Sequence, residues 1–173
     1  MRGQWVRCRA TAQWLAIYVA AYVAALVIGG IAVPRREIGQ GERKCFDDWC
    51  VAATGVEHKA TSEMCPGAAS VWVAAVHVTS VARRVRQRAA DASVEMEDDF
   101  GDGHAPCAAA SGHNIRDALD PGESFTLMLP FALPAPAHPA GLVVAHGRFP
   151  GLIIVGDDQG WLHKPSLFRL TVY

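Results

Sequence analysis

A run of twenty uncharged residues, Trp14 to Val33, constrains this chain more than any other feature of its sequence. A helix rises about 1.5 Å per residue, so about twenty residues cross the ~30 Å hydrocarbon core of a bilayer. Trp14 and Tyr18 lie near one end, where amphipathic rings favour the headgroup region, and Pro34 ends the run. The run has no polar stripe of the kind that a soluble core helix turns to water. We therefore expect a transmembrane helix or signal anchor over residues 12–33.

A cleaved signal peptide is the alternative interpretation of this run. Its apolar core usually has about 7–15 residues, and Gly30-Ile31-Ala32 matches a small-x-small cleavage site poorly. We favour an uncleaved anchor. The chain then divides into a short cytoplasmic N-terminus (residues 1–11), a polar linker (34–44) and an extracytoplasmic domain (45–173). The expected location is the cell membrane, with a single pass and the C-terminal domain outside the cytoplasm.

Charge is distributed unevenly along the 173 residues, whose formal net charge is -1. Residues 1–44 carry seven Lys or Arg and two Glu, whereas residues 45–173 carry nine basic and fifteen acidic groups. This balance excludes a strongly basic nucleic-acid binder, and we expect no nucleic-acid partner. Lys and Arg flank the apolar run on both sides, so they give no decisive orientation.

The cysteines help to identify whether the body of the chain lies in an oxidising or a reducing compartment. Cys8 precedes the apolar run, and an even number follow it: Cys45, Cys50, Cys65 and Cys107. Four cysteines allow three pairings. For a body outside the cytoplasm we expect Cys45–Cys50, closed by a turn containing Asp47 and Asp48, together with Cys65–Cys107. Four free thiols are the alternative, and they would indicate a reducing compartment.

The remainder of the chain has the pattern of a β protein. The strongest signal is Ser70–Val81, a long Val-rich run that is apolar on both faces and therefore predicts a central strand. Val94 and Met96 alternate with polar residues, and the following Asp98–Gly103 predicts a hairpin loop. Further strands are expected near residues 49–53, 125–129 (ending at Pro130), 142–145, 152–155 and 167–172. A weak helical pattern covers residues 81–90. About seven strands without sustained helical periodicity predict an antiparallel, immunoglobulin-like β-sandwich.

The sequence does not match the motifs for catalysis or metal binding that its acidic, histidine, serine and glycine residues could form. Asp98, Asp99 and Asp102 lack EF-hand spacing, because the twelfth position from Asp98 is Ala109. The seven His show no H-E-x-x-H, and His77 is expected to be a core or cross-strand residue. The sequence contains no G-x-S-x-G and no glycine-rich phosphate loop. We therefore expect no catalytic residue, no metal, no cofactor and no enzymatic activity.

The most distinctive polar segment is residues 156–165, between two expected strands. Its candidate binding residues are Asp157, Asp158, Trp161, His163 and Lys164. Rigid aromatic side chains beside charges make good contact residues, so an exposed recognition loop is one interpretation. The other is a β-turn at Asp157–Gly160, with Trp161 packed and Lys164 paired locally.

Three stretches carry a resemblance to a known group. They are Cys45-Phe46-Asp47-Asp48-Trp49-Cys50, Pro121-Gly122-Glu123-Ser124, and Gly156-Asp157-Asp158 with His163-Lys164-Pro165. Over most of residues 41–172 the chain resembles uncharacterised bacterial membrane-anchored proteins with a telokin-like, immunoglobulin-like extracytoplasmic domain of unknown function. The resemblance implies that fold and that location, and it implies no catalytic residues.

These observations predict a membrane-anchored extracytoplasmic binding module. Its expected partners are membrane lipid, through the N-terminal helix, and a protein. One alternative is a thiol- or metal-dependent envelope enzyme that uses Cys45 and Cys50 or the region of Asp157 and His163. A third possibility is a structural subunit of a membrane complex, since Gly29-Gly30 and two Ala pairs allow close helix approach.

Overall fold

A computed structural model describes residues 2–32, 34–46, 48–60, 63–68, 70–90, 92–107, 112–146 and 164–171. The chain divides into two compact units, which we describe separately. One contains the N-terminal helix. The other contains residues 35–148 and 165–173 and forms the β domain.

Helix α1 extends over Arg2–Ala32, 31 residues. Its segment Thr11–Gly29 has a mean hydropathy of 1.8 and is long and apolar enough to cross a membrane, a property that signal sequences share. The helix begins about ten residues before the predicted span of 12–33, because residues 2–11 contain no proline to stop it. The side chains of Trp14 and Tyr18 are exposed.

Eleven strands lie within the described part of the β domain. They are β1 (Glu37–Ile38), β2 (Lys44–Phe46), β3 (Trp49–Lys59), β4 (Val71–Ser80), β5 (Gln87–Arg88), β6 (Ala92–Asp98), β7 (Gly103–His104), β8 (Ala118–Leu119), β9 (Ser124–Ala132), β10 (Pro139–His146) and β11 (Leu167–Arg169). The sequence predicted about seven. The additional strands have two or three residues each, too few for a hydrophobic alternation to be visible.

The strands form two main sheets that share one core. One sheet has the order β1-β11-β10-β6-β7 and the other β2-β3-β4-β9, while β5 and β8 form a small separate ribbon. Met96, Leu142 and Phe168 of the first sheet are fully buried in the same cluster as Leu127 and Phe131 of the second. Burying each such side chain contributes about 1.5–3 kcal/mol. The domain is therefore a β-sandwich, as predicted.

The strand pairing follows an immunoglobulin-like order. In such folds strand B pairs with E in one sheet, and C pairs with F and F with G in the other. Here β4 pairs with β9, β6 with β10 and β10 with β11, all antiparallel. Strand β1 lies at the edge of the sheet that contains β6, β10 and β11. It pairs in parallel with β11, with Glu37 opposite Leu167.

Strand β4 confirms the prediction of a central strand that is apolar on both faces. It lies between β3 and β9. Trp72, Ala74, Val76 and Val78 face the shared core. Val71 and Val73 on the opposite face are covered by the segment that contains Cys65. Because this second, small cluster buries the opposite face of β4, the strand carries Val on both of its faces.

The predicted end of a strand at Pro130 was wrong. Strand β9 continues through Pro130 to Ala132, with Pro130 opposite Val73. Because β9 is an edge strand, the missing N–H of Pro130 costs no ladder hydrogen bond. The carbonyl of Pro130 instead accepts from the Cys107 backbone N–H at 2.8 Å.

Two further segments differ from their predicted structure. Residues 81–90 form bends and strand β5 rather than a helix, since their apolar residues do not repeat at a helical period. Within residues 34–44, expected to be a tether, residues 35–44 belong to the β domain and contain β1 and the first residue of β2. Strand β11 ends at Arg169, short of the expected 172. The strand expected at 152–155 lies outside the described residues.

Candidate functional site

The pairing of the strands defines the two ends of the sandwich. At one end Trp49 lies opposite Ser80, and His146 lies opposite Ala92; we call this the Trp49 end. At the other end Lys59 lies opposite Val71; we call this the Lys59 end. The β2–β3 turn and the connection from β4 to β6 both belong to the Trp49 end. In immunoglobulin variable domains the B–C connection, to which the β4–β6 connection corresponds, carries binding.

An aromatic cluster lies beneath these connections. The rings of Phe46 and Trp49 stack with centroids 4.7 Å apart, and His146 meets Trp49 edge-on at 5.3 Å. Phe46 and Trp49 face each other across the two-residue β2–β3 turn, while His146 ends β10 in the opposite sheet. The cluster thus joins the two sheets at the Trp49 end. The indole Nε1 of Trp49 is buried and has no hydrogen-bond partner among the described residues.

Lys44 adds a buried cation to this cluster. Its residue is 7% exposed, its Nζ lies 4.5 Å above the centroid of the Phe46 ring, and Nζ donates to Ser166 Oγ at 3.1 Å. Two positions along a strand place Lys44 and Phe46 on one face, which is why the amine reaches the ring. Sequence reasoning counted Lys44 only as a linker charge and missed His146. The alternation Lys44-x-Phe46 was the available signal.

A basic loop connects β4 to β5 at the same end. Val81 and Val85 are 44% and 64% exposed. Arg86 donates to the Ala118 carbonyl, and Arg88 donates to the Arg116 carbonyl. Arg83 and Arg84 are exposed and make no hydrogen bond or ion pair within the part of the chain that the structure describes. The loop therefore presents free guanidinium groups beside exposed apolar side chains.

The predicted recognition segment, residues 156–165, follows β10 in the chain. Four of its candidate residues, Asp157, Asp158, Trp161 and His163, lie outside the described residues. Lys164 is described and exposed, and it has an interaction partner. Next to it, the carbonyl of Pro165 accepts from Arg35 Nε at 2.8 Å, which ties the start of β11 to the segment before β1.

Both disulfides expected for an extracytoplasmic body are present. Cys45 is bonded to Cys50 across the β2–β3 hairpin, and Cys65 is bonded to Cys107. The first closes the turn that contains Asp48, at the Trp49 end. The second joins the segment between β3 and β4 to the segment after β7, at the Lys59 end.

Two other polar groups that the sequence analysis singled out, Asp98 and His77, have structural partners. Asp98 is 2% exposed and accepts hydrogen bonds from His104 Nε2 at 2.8 Å and from the backbone N–H groups of Phe100 and Asp102. The hydrogen bond from His104 lowers the pKa of Asp98 below its usual value. His77 contacts Thr126 Oγ1 across the β4–β9 ladder at 3.1 Å, as its cross-strand prediction requires. No group of three His, Cys, Asp or Glu suited to a metal occurs among the described side chains.

Comparison with known proteins gives structural likenesses only. No family model matches the chain, and no curated protein matches it. The secreted protein MPT63 from Mycobacterium tuberculosis is similar, with 14% identity and a TM-score of 0.48 over 67% of this chain and 93% of its own. An uncharacterised β-sandwich protein from Clostridium difficile 630 has 10% identity and a TM-score of 0.49 over 80% and 95%. The yjhA protein from Bacillus subtilis has 12% identity and a TM-score of 0.49 over 80% and 100%.

Proposed function

We propose that this chain is a membrane-anchored, extracytoplasmic binding module whose contact surface is the Trp49 end of its sandwich. The observation that carries the proposal is the topology. It brings the basic loop and the β2–β3 turn to one end of a rigid scaffold. The connection that follows β10 and contains Asp157, Asp158, Trp161, His163 and Lys164 is proposed to contribute to the same surface. Loops held by such a scaffold are the usual carriers of binding.

Two features support the anchored, extracytoplasmic location. Helix α1 contains one segment, Thr11–Gly29, that is long and apolar enough to act as an anchor. The two disulfides of the β domain are typical of proteins that fold in an oxidising compartment. A scaffold with paired cysteines and a preceding apolar helix fits a domain displayed on the outer side of a cell membrane.

Location is tested by alkylating membrane fractions before reduction and mapping the thiols by mass spectrometry. We expect Cys45, Cys50, Cys65 and Cys107 to be protected and Cys8 to be labelled. Labelling of all five would place the β domain in the cytosol and refute the proposed location. A mature chain that begins after Ala32 would show that the helix is a cleaved signal rather than an anchor.

The contact surface is tested with a photo-crosslinking residue at one of two matched positions. Val85 at the Trp49 end is 64% exposed, and Phe100 at the Lys59 end is 68% exposed, so both give the probe similar freedom. We expect crosslinks in cells from position 85 and not from position 100. Crosslinks from position 100 alone would assign binding to the opposite end. Alanine at Asp157, Trp161 or His163 is expected to reduce the crosslinks from position 85 without unfolding the sandwich.

A further inference from the structure

Residues 81–85, which we call the Arg83 tip, expose two arginines and two valines that do not take part in packing the sandwich. Val81 and Val85 are 44% and 64% exposed, yet neither contributes to the core. Between them Arg83 and Arg84 project without a partner in the described structure. Two unpaired guanidinium groups between exposed valines form a surface for an anionic layer that also offers an apolar environment.

The tip is held in place at both of its ends. The backbone N–H groups of Val81 and Ala82 donate to the Asp48 carbonyl at 2.8 and 3.2 Å. The side chain of Gln87 donates to Asp48 Oδ2 at 2.9 Å. Beyond it, Arg86 is 3.6 Å from Asp120 Oδ1. Because its ends are fixed to the hairpin and to the β8 segment, the tip loses little conformational entropy when it binds.

The covalent chain limits how far Arg35 can lie from the last residue of α1. Arg35 lies beside Pro165, level with the last residues of β10, and is thus at the Trp49 end. Only residues 33 and 34 separate Arg35 from Ala32, the last residue of α1. Three residue steps reach at most about 11 Å. If α1 spans a bilayer, the Trp49 end therefore begins within that distance of the end of the span.

We propose that the Arg83 tip rests on the anionic phospholipid headgroups of the membrane that holds α1, with Arg83 and Arg84 on phosphates and Val81 and Val85 at the headgroup boundary. This inference rests on the proposed anchoring of the chain and assigns a ligand to part of its contact surface. An acidic protein is the competing occupant. The membrane is favoured because the covalent tether keeps it next to this end and because the valines gain nothing from a purely charged partner.

The test uses hydrogen exchange of the full-length chain in nanodiscs of phosphatidylcholine with and without phosphatidylglycerol. We expect slower exchange of the Arg83 and Val85 backbone amides when phosphatidylglycerol is present. Arg84→Gln should reduce this protection about fivefold and Arg83→Gln with Arg84→Gln about 30-fold, and added salt should weaken it. Lys59→Gln, an equal loss of charge at the Lys59 end, should leave the protection unchanged.

Two results would overturn the inference. Equal exchange of the tip in both kinds of nanodisc would exclude binding to anionic lipid. Protection that arises only when envelope proteins are added would assign the tip to a protein partner. Protection that Lys59→Gln weakens as much as Arg84→Gln does would show unspecific charge attraction. Because nanodiscs offer the same lipid on both faces, this outcome is independent of the compartment, which the thiol mapping decides separately.

Discussion

Asp98 and His104 face each other across the turn between β6 and β7, with His104 Nε2 2.8 Å from Asp98 Oδ2. The other carboxylate oxygen of Asp98 accepts from the backbone N–H groups of Phe100 and Asp102. Both oxygens of the carboxylate are therefore used to close one hairpin. The acidic segment that resembled a cation loop in composition is a turn organised around one buried carboxylate.

Stability is expected to depend on the charge of Asp98. The hydrogen bond from His104 lowers the pKa of Asp98 in the folded chain below that of the unfolded chain, which is about 4. This stabilisation is therefore complete above about pH 4 and is lost as the pH falls through the folded-state pKa. Asp98→Asn should lower the Tm at neutral pH, and its difference from the original chain should shrink in acid.

Asp102→Asn is the matched control for Asp98→Asn. Asp102 lies in the same turn, but its side chain is exposed and only its backbone takes part in the hydrogen bonds of the turn. Thermal unfolding followed by circular dichroism across the acid range compares the two variants. A constant Tm difference for Asp98→Asn at every pH, or an equal effect of Asp102→Asn, would contradict the assignment.

The two disulfides are expected to differ in their contribution to stability. Cys65 and Cys107 are separated by 42 positions and Cys45 and Cys50 by 5. The loop-closure relation then gives about 4 kcal/mol for Cys65–Cys107 and about 2 kcal/mol for Cys45–Cys50. Replacing both cysteines of each pair by serine and measuring urea unfolding tests the order. A larger loss for the Cys45–Cys50 variant would show that local strain or packing outweighs chain entropy.

Much of the sandwich was predictable because its strands carry local signals. The Val-rich β4, the alternating β6 and the Asp98–Gly103 turn were all recognised from the pattern of neighbouring residues. Strand β1 was not, because two residues carry no alternation and its partner, β11, is near the other end of the chain. Pro130 was misread for a related reason. Whether proline is tolerated depends on whether the strand lies at an edge, which only the assembled sheet determines.

The candidate site was less predictable than the fold. Phe46 and Trp49 meet across a two-residue turn, a contact that their spacing allows. His146 joins them from the opposite sheet, and no local pattern specifies that approach. Likewise, four arginines follow β4, but the sequence does not distinguish Arg86 and Arg88, which bind carbonyl oxygens, from Arg83 and Arg84, which do not. Those distinctions depend on the placement of the segment around β8.

Gly141 is expected to be indispensable for the β10–β11 pairing. A Cβ atom at this position would lie 2.5 Å from the Phe168 carbonyl oxygen and 2.7 Å from Leu167 Cδ1. The backbone of β11 would have to move, so Gly141→Ala should lower the free energy of unfolding by about 1–3 kcal/mol. Gly55→Ala in β3 is the control, because its Cβ would meet no atom within 4 Å. Urea unfolding compares them, and equal effects would argue against this packing.

Trp49 is expected to tolerate phenylalanine far better than alanine. Its ring stacks on Phe46, but its indole Nε1 is buried without an acceptor in the part of the chain that the structure describes, which costs about 1–3 kcal/mol of desolvation. Trp49→Phe keeps much of the stacked ring and removes the unsatisfied donor, so the smaller ring should cost no more than about 2 kcal/mol. Trp49→Ala leaves a cavity and should cost about 3–5 kcal/mol. Chemical unfolding followed by far-ultraviolet circular dichroism measures both variants. If Trp49→Phe lowers the free energy of unfolding as much as Trp49→Ala does, the indole N–H has a stabilising partner. The stacked ring is then not the main contribution of Trp49 to the junction of the two sheets.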